Sequence, residues 1–138
     1  MAGYAVGQDI SERMLQLAAT PPQFSMGKSL PGFGPIGPWL VTLDEIADPN
    51  DLELGCEVNG EVVQLSQTSQ LIFSVPAIIE NLSASTPLLP GDVIFTGTPS
   101  GVGLGRTPQR WLADGDTLTS HIESLGGMRH RFVTAPAE

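Results

Sequence analysis

The sequence predicts a β-rich α+β domain, and three observations carry that expectation. Among 138 residues there are 16 glycines and 12 prolines, a density of chain breakers that favours short strands and turns over a helical bundle. Asn59-Gly60 separates two alternating runs, the signal of a tight β-hairpin. Between Thr68 and Thr86 lies the one segment with good helix signals. A chain of this length is read as a single domain, residues 1–138. It can remove roughly two thirds of its unfolded surface from water.

Taken in order, Gly3 to Gly7 alternates Tyr4 and Val6 with small residues and predicts a strand. A first strand so near residue 1 leads us to expect further sequence upstream. Ser11 is placed to cap a short helix from Arg13 to Ala18, which Thr20-Pro21-Pro22 stops. Phe24 to Pro38 carries four glycines and three prolines around Lys28, too much punctuation for a regular element, so a long loop is expected there. Trp39 to Thr42 follows as a strand and Asp44 to Asp51 as an acidic loop. Leu52, Leu54, Cys56 and Val58 alternate with Glu53, Gly55, Glu57 and Asn59, and Glu61 to Leu65 returns, giving a hairpin over 52–65 with a type I′ turn. In the helix, Ser74 is the N-cap, Pro76 lies in the first turn, and Ile78, Ile79 and Leu82 form an apolar stripe expected to pack.

Leu88 to Gly103, LLPGDVIFTGTPSGVG, joins a Pro-Gly-Asp turn to a strand expected at Val93 to Thr96 and then to a glycine-rich loop. The glycines of that loop let backbone N–H groups approach a ligand, and Thr98 and Ser100 add hydroxyls. It lacks the Gly-Lys-Ser/Thr ending of a phosphate loop and the third glycine of a dinucleotide loop. A plain surface turn is the competing reading. Leu112-Ala113-Asp114-Gly115-Asp116 repeats the turn pattern of Leu89-Pro90-Gly91-Asp92, which points to a small roll of similar β-turn units. Thr117 to Glu123 and Met128 to Val133 form a second hairpin around Gly126-Gly127, and Ala135 to Glu138 is a tail.

The formal net charge of −9 repels phosphate backbones and anionic lipid, so neither nucleic acid nor membrane is an expected partner. Cys56 is the only cysteine, which excludes an internal disulfide and a thiolate metal cluster and fits a reducing, cytoplasmic setting. Neither a basic leader nor an apolar run long enough to span a membrane is found.

Three residues stand out chemically. Asp9 falls at a strand-to-helix junction, where a carboxylate is exposed yet held; helix capping is the alternative role. Lys28 is the only lysine and sits between glycine-proline bends, where a positioned cation could hold a carboxylate or an enolate oxygen; a solvated surface lysine is the competing reading. Thr98 belongs to the glycine-rich loop. His121 and His130 both fall within alternating strands, and no Gly-x-Ser-x-Gly elbow exists, which argues against a Ser-His-Asp hydrolase. Glu53 and Glu57 lie on the polar face of the hairpin and read as solvating charge.

These pieces coincide in one resemblance. GYAVGQDISER, FSMGKSLPGFGPIGPW, VNGEVVQ with TSQLIFSV, and LLPGDVIFTGTPSGVG together resemble the catalytic domain of the fumarylacetoacetate hydrolase family, nearly end to end. The resemblance implies a mixed β-sandwich or roll, a homodimer, and an active-site Mg²⁺ or a related ion such as Mn²⁺ or Ca²⁺. It implies an enzyme, a hydrolase, lyase or isomerase of small oxo-acids in aromatic-compound breakdown: acylpyruvates, fumarylacetoacetate or hydroxydienedioates. By matching position it makes Asp9 a metal ligand, Lys28 a catalytic and substrate-binding lysine, and Thr98 a substrate-binding hydroxyl.

The family's further metal ligands, a Glu-x-Glu pair, and its lid histidine and glutamate would lie upstream of residue 1, so the domain is expected to be truncated at its N-terminus. Met26 stands where relatives often carry a basic residue. A second reading is therefore a ligand-binding or oligomerisation module that keeps the fold and lacks a full metal site.

Overall fold

The structure is a computed structural model that describes residues 1–134; the tail at Ala135 to Glu138 lies outside the described residues. Among the described residues, six strands form two antiparallel sheets. A ribbon pairs β1 (Tyr4–Gly7) with β2 (Ile36–Val41), and a larger sheet runs in the order β4 (Glu61–Gln67), β3 (Glu53–Val58), β5 (Thr117–Ile122), β6 (Gly126–Arg131). Two helices, α1 (Arg13–Leu17) and α2 (Val75–Ser85), complete the regular structure together with four single 3₁₀ turns. No described helix is long and apolar enough to cross a membrane.

The ribbon meets the sheet through a small apolar cluster of Val6, Val41, Ile46, Leu52 and Leu125, flanked by Tyr4, Ile122 and Met128. The cluster is smaller than the length led us to expect. The chain exposes 9523 Å², against roughly 6,900 Å² for a compact monomer of this mass. Large apolar side chains are among the exposed residues: Trp39, Leu65, Ile72, Phe73 and Leu89 are each at least 59% exposed.

The hairpin forms as its sequence predicts. Asn59 (φ +54°) and Gly60 (φ +84°) both take the left-handed conformation that a type I′ turn demands. Asn59 also ties the turn to β5: Thr117 N–H donates to its Oδ1 (2.8 Å), its own N–H donates to Thr117 O (2.8 Å), and its Nδ2 donates to Asp116 Oδ1 (2.7 Å). The two turns read as repeats share one bonding pattern. Leu89 N–H donates to Asp92 Oδ2 and Ala113 N–H to Asp116 Oδ2, both at 2.7 Å.

Several expectations need correction. Glu12, not Ser11, caps α1, its carboxylate accepting from Met14 N–H and Leu15 N–H; the extra carbons of Glu let it fold back over the first turn. The Phe24 to Pro38 stretch is not one loop, because Met26–Lys28 makes a 3₁₀ turn and β2 already begins at Ile36. Ser74 caps α2 as expected, accepting from Ala77 N–H, yet no residue of α2 is fully buried and Leu82 is 41% exposed. The expected strand at Val93 to Thr96 joins neither sheet, although the Phe95 ring lies against Gly7 of β1. Of the two repeated turns, only the second therefore leads into a strand.

Asp116 provides a stability test. Its buried carboxylate accepts from Asn59 Nδ2, from Ala113 N–H and from Arg110 Nη2 at 2.8 Å to each oxygen. Those donors, the Asn59 amide foremost, hold its pKa below the ordinary aspartate value against the opposing effect of burial. A depressed carboxylate contributes stability above its unfolded pKa of about 3.9 and loses that contribution as pH falls through the folded value. Asn59→Ala should cost about 1–3 kcal/mol at neutral pH and shrink the stability lost below roughly pH 4. Urea titrations at a series of pH values check both.

Candidate functional site

A cleft of about 270 Å³ opens between the end of β1, the Lys28 turn, one face of β3 and β5, and the Gly97 to Gly103 loop. Asp9, Lys28 and Thr98 all line it, although they come from three separate segments of chain.

β1 delivers the first group. Buried Val6 pins the strand in the core, and Gln8, two residues on, donates its N–H to Pro35 O (3.0 Å) and its Nε2 to Ser120 Oγ (2.6 Å). Asp9 is thereby held at the junction with α1. Lys28 arrives because Gly27 lies directly on α1: a Cβ at Gly27 would stand 2.9 Å from both Gln16 Cβ and Glu12 O. Glu12 N–H donates to Gly27 O at 2.7 Å and locks the contact. Lys28 Nζ then donates to Asp9 Oδ2 and to Ser11 Oγ, the latter at 3.1 Å. Ser11, expected as a helix cap, instead holds the lysine. Asp9 pairs with a cation and does not cap α1.

Thr98 is fixed from the sheet. The hairpin carries a β-bulge between Cys56 and Glu57, so that Cys56 faces Gln64 and Val63 is the extra residue. Gln64 Nε2 donates to Thr98 Oγ1 (3.0 Å) and to Pro99 O (2.7 Å). The loop lies so close to β4 that a Cβ at Gly101 would stand 1.9 Å from Val63 O. Arg13 also lines the cleft, with its guanidinium 5.8 Å from the centre of the Trp111 ring.

The balance of charge in the cleft reverses that of the whole chain. Lys28 and Arg13 face one carboxylate, Asp9, among hydroxyls and amides, with Phe95 and Leu54 as apolar wall. Such a site suits a small organic anion. For a divalent metal, Asp9 fits as one hard oxygen ligand, but the described residues contain no cluster of three His, Cys, Asp or Glu. Glu53 and Glu57 are absent from the cleft lining.

Gln8, Ser11, Arg13, Gln64 and Ser120 were not read from the sequence as site residues. Gln8, Ser11 and Arg13 belong to the quoted segment GYAVGQDISER and Gln64 to VNGEVVQ, where they could have been noticed; which face of the sheet Gln64 serves could not, for reasons of register.

The chain is similar to several known proteins. The family described as Fumarylacetoacetate (FAA) hydrolase C-terminal matches residues 1–133. A Bos taurus protein named oxaloacetate tautomerase FAHD2A, mitochondrial, is 43% identical over 133 residues, 96% of this chain and 42% of that protein. Among solved structures, a Mycobacterium smegmatis protein provisionally identified as HpcE is 63% identical with a TM-score of 0.94, over 96% of this chain and 49% of its own. Maleylpyruvate hydrolase from Sphingobium sp. SYK-6, solved with manganese (II) ion and pyruvate, is 34% identical with a TM-score of 0.80, over 95% of this chain and 44% of its own. The chain thus spans about half the length of the relatives it matches.

Loop placement yields a direct test. Gly101 combines a φ of +107° with the close contact to Val63 O, whereas Gly105 has an ordinary φ and only a 3.7 Å neighbour. Gly101→Ala should lower unfolding free energy by about 1–3 kcal/mol from conformation alone, with the clash adding to it. Gly105→Ala should stay within about 0.5 kcal/mol of the parent in the same denaturation experiment.

Proposed function

This chain belongs to the fumarylacetoacetate hydrolase family, and from that premise we propose that it acts on small 2-oxo or 1,3-dicarbonyl acids through a stabilised enolate. Carbon–carbon hydrolysis of the acylpyruvate or fumarylacetoacetate type, decarboxylation, hydroxydienedioate isomerisation and keto–enol tautomerisation all pass through that species, so one site can serve each. The carrying observation is the convergence of Asp9, Lys28 and Thr98 on one cleft.

In this reading the Lys28 ammonium, oriented by Asp9 and Ser11, holds the substrate carboxylate or the developing enolate oxygen. A positive charge preset at that point strengthens its hold as negative charge grows, which is how a fixed group lowers a barrier. Thr98 offers a hydroxyl from the opposite wall. A divalent ion, Mg²⁺ or else Mn²⁺ or Ca²⁺, is the proposed cofactor, with Asp9 giving one of its oxygens; when bound it supplies further positive charge for the two oxygens of an oxo-acid. Manganese in the maleylpyruvate hydrolase structure supports this choice.

The exposed side chains of Trp39, Ile72 and Phe73 support a homodimer, and the buried free thiol of Cys56 supports a reducing compartment, proposed as the cytoplasm. The single carboxylate in the cleft favours a second reading, in which the domain binds oxo-acids without turning them over.

The test is turnover and binding of an oxo-acid panel in the presence and absence of Mg²⁺ and Mn²⁺. Metal-dependent turnover supports the enzyme, saturable binding without turnover supports the second reading, and neither result overturns both. Lys28→Met should reduce turnover at least about a hundredfold, or abolish binding if the chain only binds. A variant within about threefold of the parent would correspond to less than 1 kcal/mol and return Lys28 to the role of a surface lysine. Calorimetry with Mg²⁺ should show weak affinity, because one carboxylate is a single protein anchor, and Asp9→Asn should remove what there is.

A further inference from the structure

We propose that Gln64 is a positioning residue that makes Thr98 a hydrogen-bond donor toward the cleft; the inference rests on the oxo-acid reading above and extends it. Three contacts define the direction of this chain of hydrogen bonds. Gln64 Nε2 lies 2.7 Å from Pro99 O. A peptide carbonyl only accepts, so the amide group facing it must be the NH₂ end. That fixes the other two contacts. The same NH₂ donates to Thr98 Oγ1 at 3.0 Å, and the amide oxygen, turned the other way, accepts from Cys56 Sγ at 3.1 Å. Burial pushes the Cys56 thiol pKa up, which keeps the S–H proton in place to donate at neutral pH.

A hydroxyl that accepts from Gln64 has one lone pair occupied, and its own proton points elsewhere. No oxygen or nitrogen among the described residues takes that proton, and the open side of Thr98 is the cleft. Thr98 therefore presents O–H rather than a lone pair to whatever binds. For a carboxylate or enolate oxygen that polarity decides between attraction and repulsion. Without Gln64 the hydroxyl could rotate and show a lone pair to the same oxygen.

The second task of Gln64 is mechanical. By holding both Thr98 and Pro99 it fastens the loop to β4, beside the point where Gly101 meets Val63 O. The β-bulge makes both tasks feasible. A regular two-residue hairpin would place residue 64 opposite Gly55, with its side chain on the other face of the sheet from that of Cys56, whereas the extra Val63 pairs Gln64 with Cys56 and turns its side chain to the face that Cys56 shares.

Gln64→Glu is the discriminating variant, because its carboxylate has the same shape but can only accept. It would repel Pro99 O and draw the Thr98 proton away from the cleft. Pyruvate serves as the probe, with affinity measured calorimetrically beside turnover of the oxo-acid panel. Gln64→Glu and Thr98→Val should each weaken pyruvate binding about tenfold or more, and the double variant should be no worse than about twofold beyond the weaker single, since both remove one interaction. Thr98→Ser keeps the hydroxyl, so adding Gln64→Glu to it should weaken pyruvate binding by about the same factor as adding Gln64→Glu to the parent. Melting temperatures of all variants establish that they fold.

Unchanged pyruvate affinity in Gln64→Glu, or losses that simply add in the double variant, would overturn the proposal. A readout independent of ligand comes from nuclear magnetic resonance of the unliganded chain. The two Gln64 side-chain amide protons should exchange slowly and show Overhauser contacts to Thr98 and Pro99; their absence would overturn the proposal as well. If the parent chain neither binds nor converts any oxo-acid, the oxo-acid reading fails and the donor role of Thr98 toward substrate falls with it.

Discussion

The contact on which the other features depend is the burial of Val6 and Val41 against Ile46, Leu52 and Leu125. These side chains hold the β1–β2 ribbon to the larger sheet, and the sheet itself supplies one wall of the cleft. β1 is only four residues long, too short to be stable as part of an isolated ribbon. Because its one fully buried side chain fixes its depth and rotation, the residues that follow it, Gln8 and Asp9, emerge at a defined point. Asp9, Ser11 and the Lys28 turn are placed from there.

The site is assembled by three kinds of close approach, each at a residue that permits it. Gly27 lets the Lys28 turn rest on α1, Gly101 lets the Thr98 loop rest on β4, and the bulge at Val63 turns Gln64 toward that loop. Between them they bring chain segments separated by as many as 35 positions into hydrogen-bond contact. The ion pair of Lys28 and Asp9 contributes less to stability than these contacts do, since both groups are partly exposed and such pairs are worth about 0–1 kcal/mol. Its value is orientation: it points a cation that would otherwise sample many rotamers.

The surface tells a consistent physical story. A small cluster, an exposed α2 and outward-facing aromatic residues accompany a total surface larger than a compact monomer of this mass exposes. Val93 to Thr96 has strand composition without a ladder partner among the described residues. Both features concern surface left without a neighbour in this chain.

The sequence by itself determined the local elements and the chemistry of the candidates. The Asn59-Gly60 hairpin, the Ser74 cap, the repeated Asp turns and the choice of Asp9, Lys28 and Thr98 as candidates were legible, because turn dihedrals, capping and residue type are local properties. What the tertiary structure decided was which residues meet. Ser11 could be read as a cap from spacing, but the reach of Glu12 and the arrival of Lys28 gave it another partner. Gln64 was illegible for a stricter reason: strand side chains alternate with a period of two, and an unsignalled extra residue inverts every assignment beyond it. Only the fold, by pairing Cys56 with Gln64, shows which face that side chain serves.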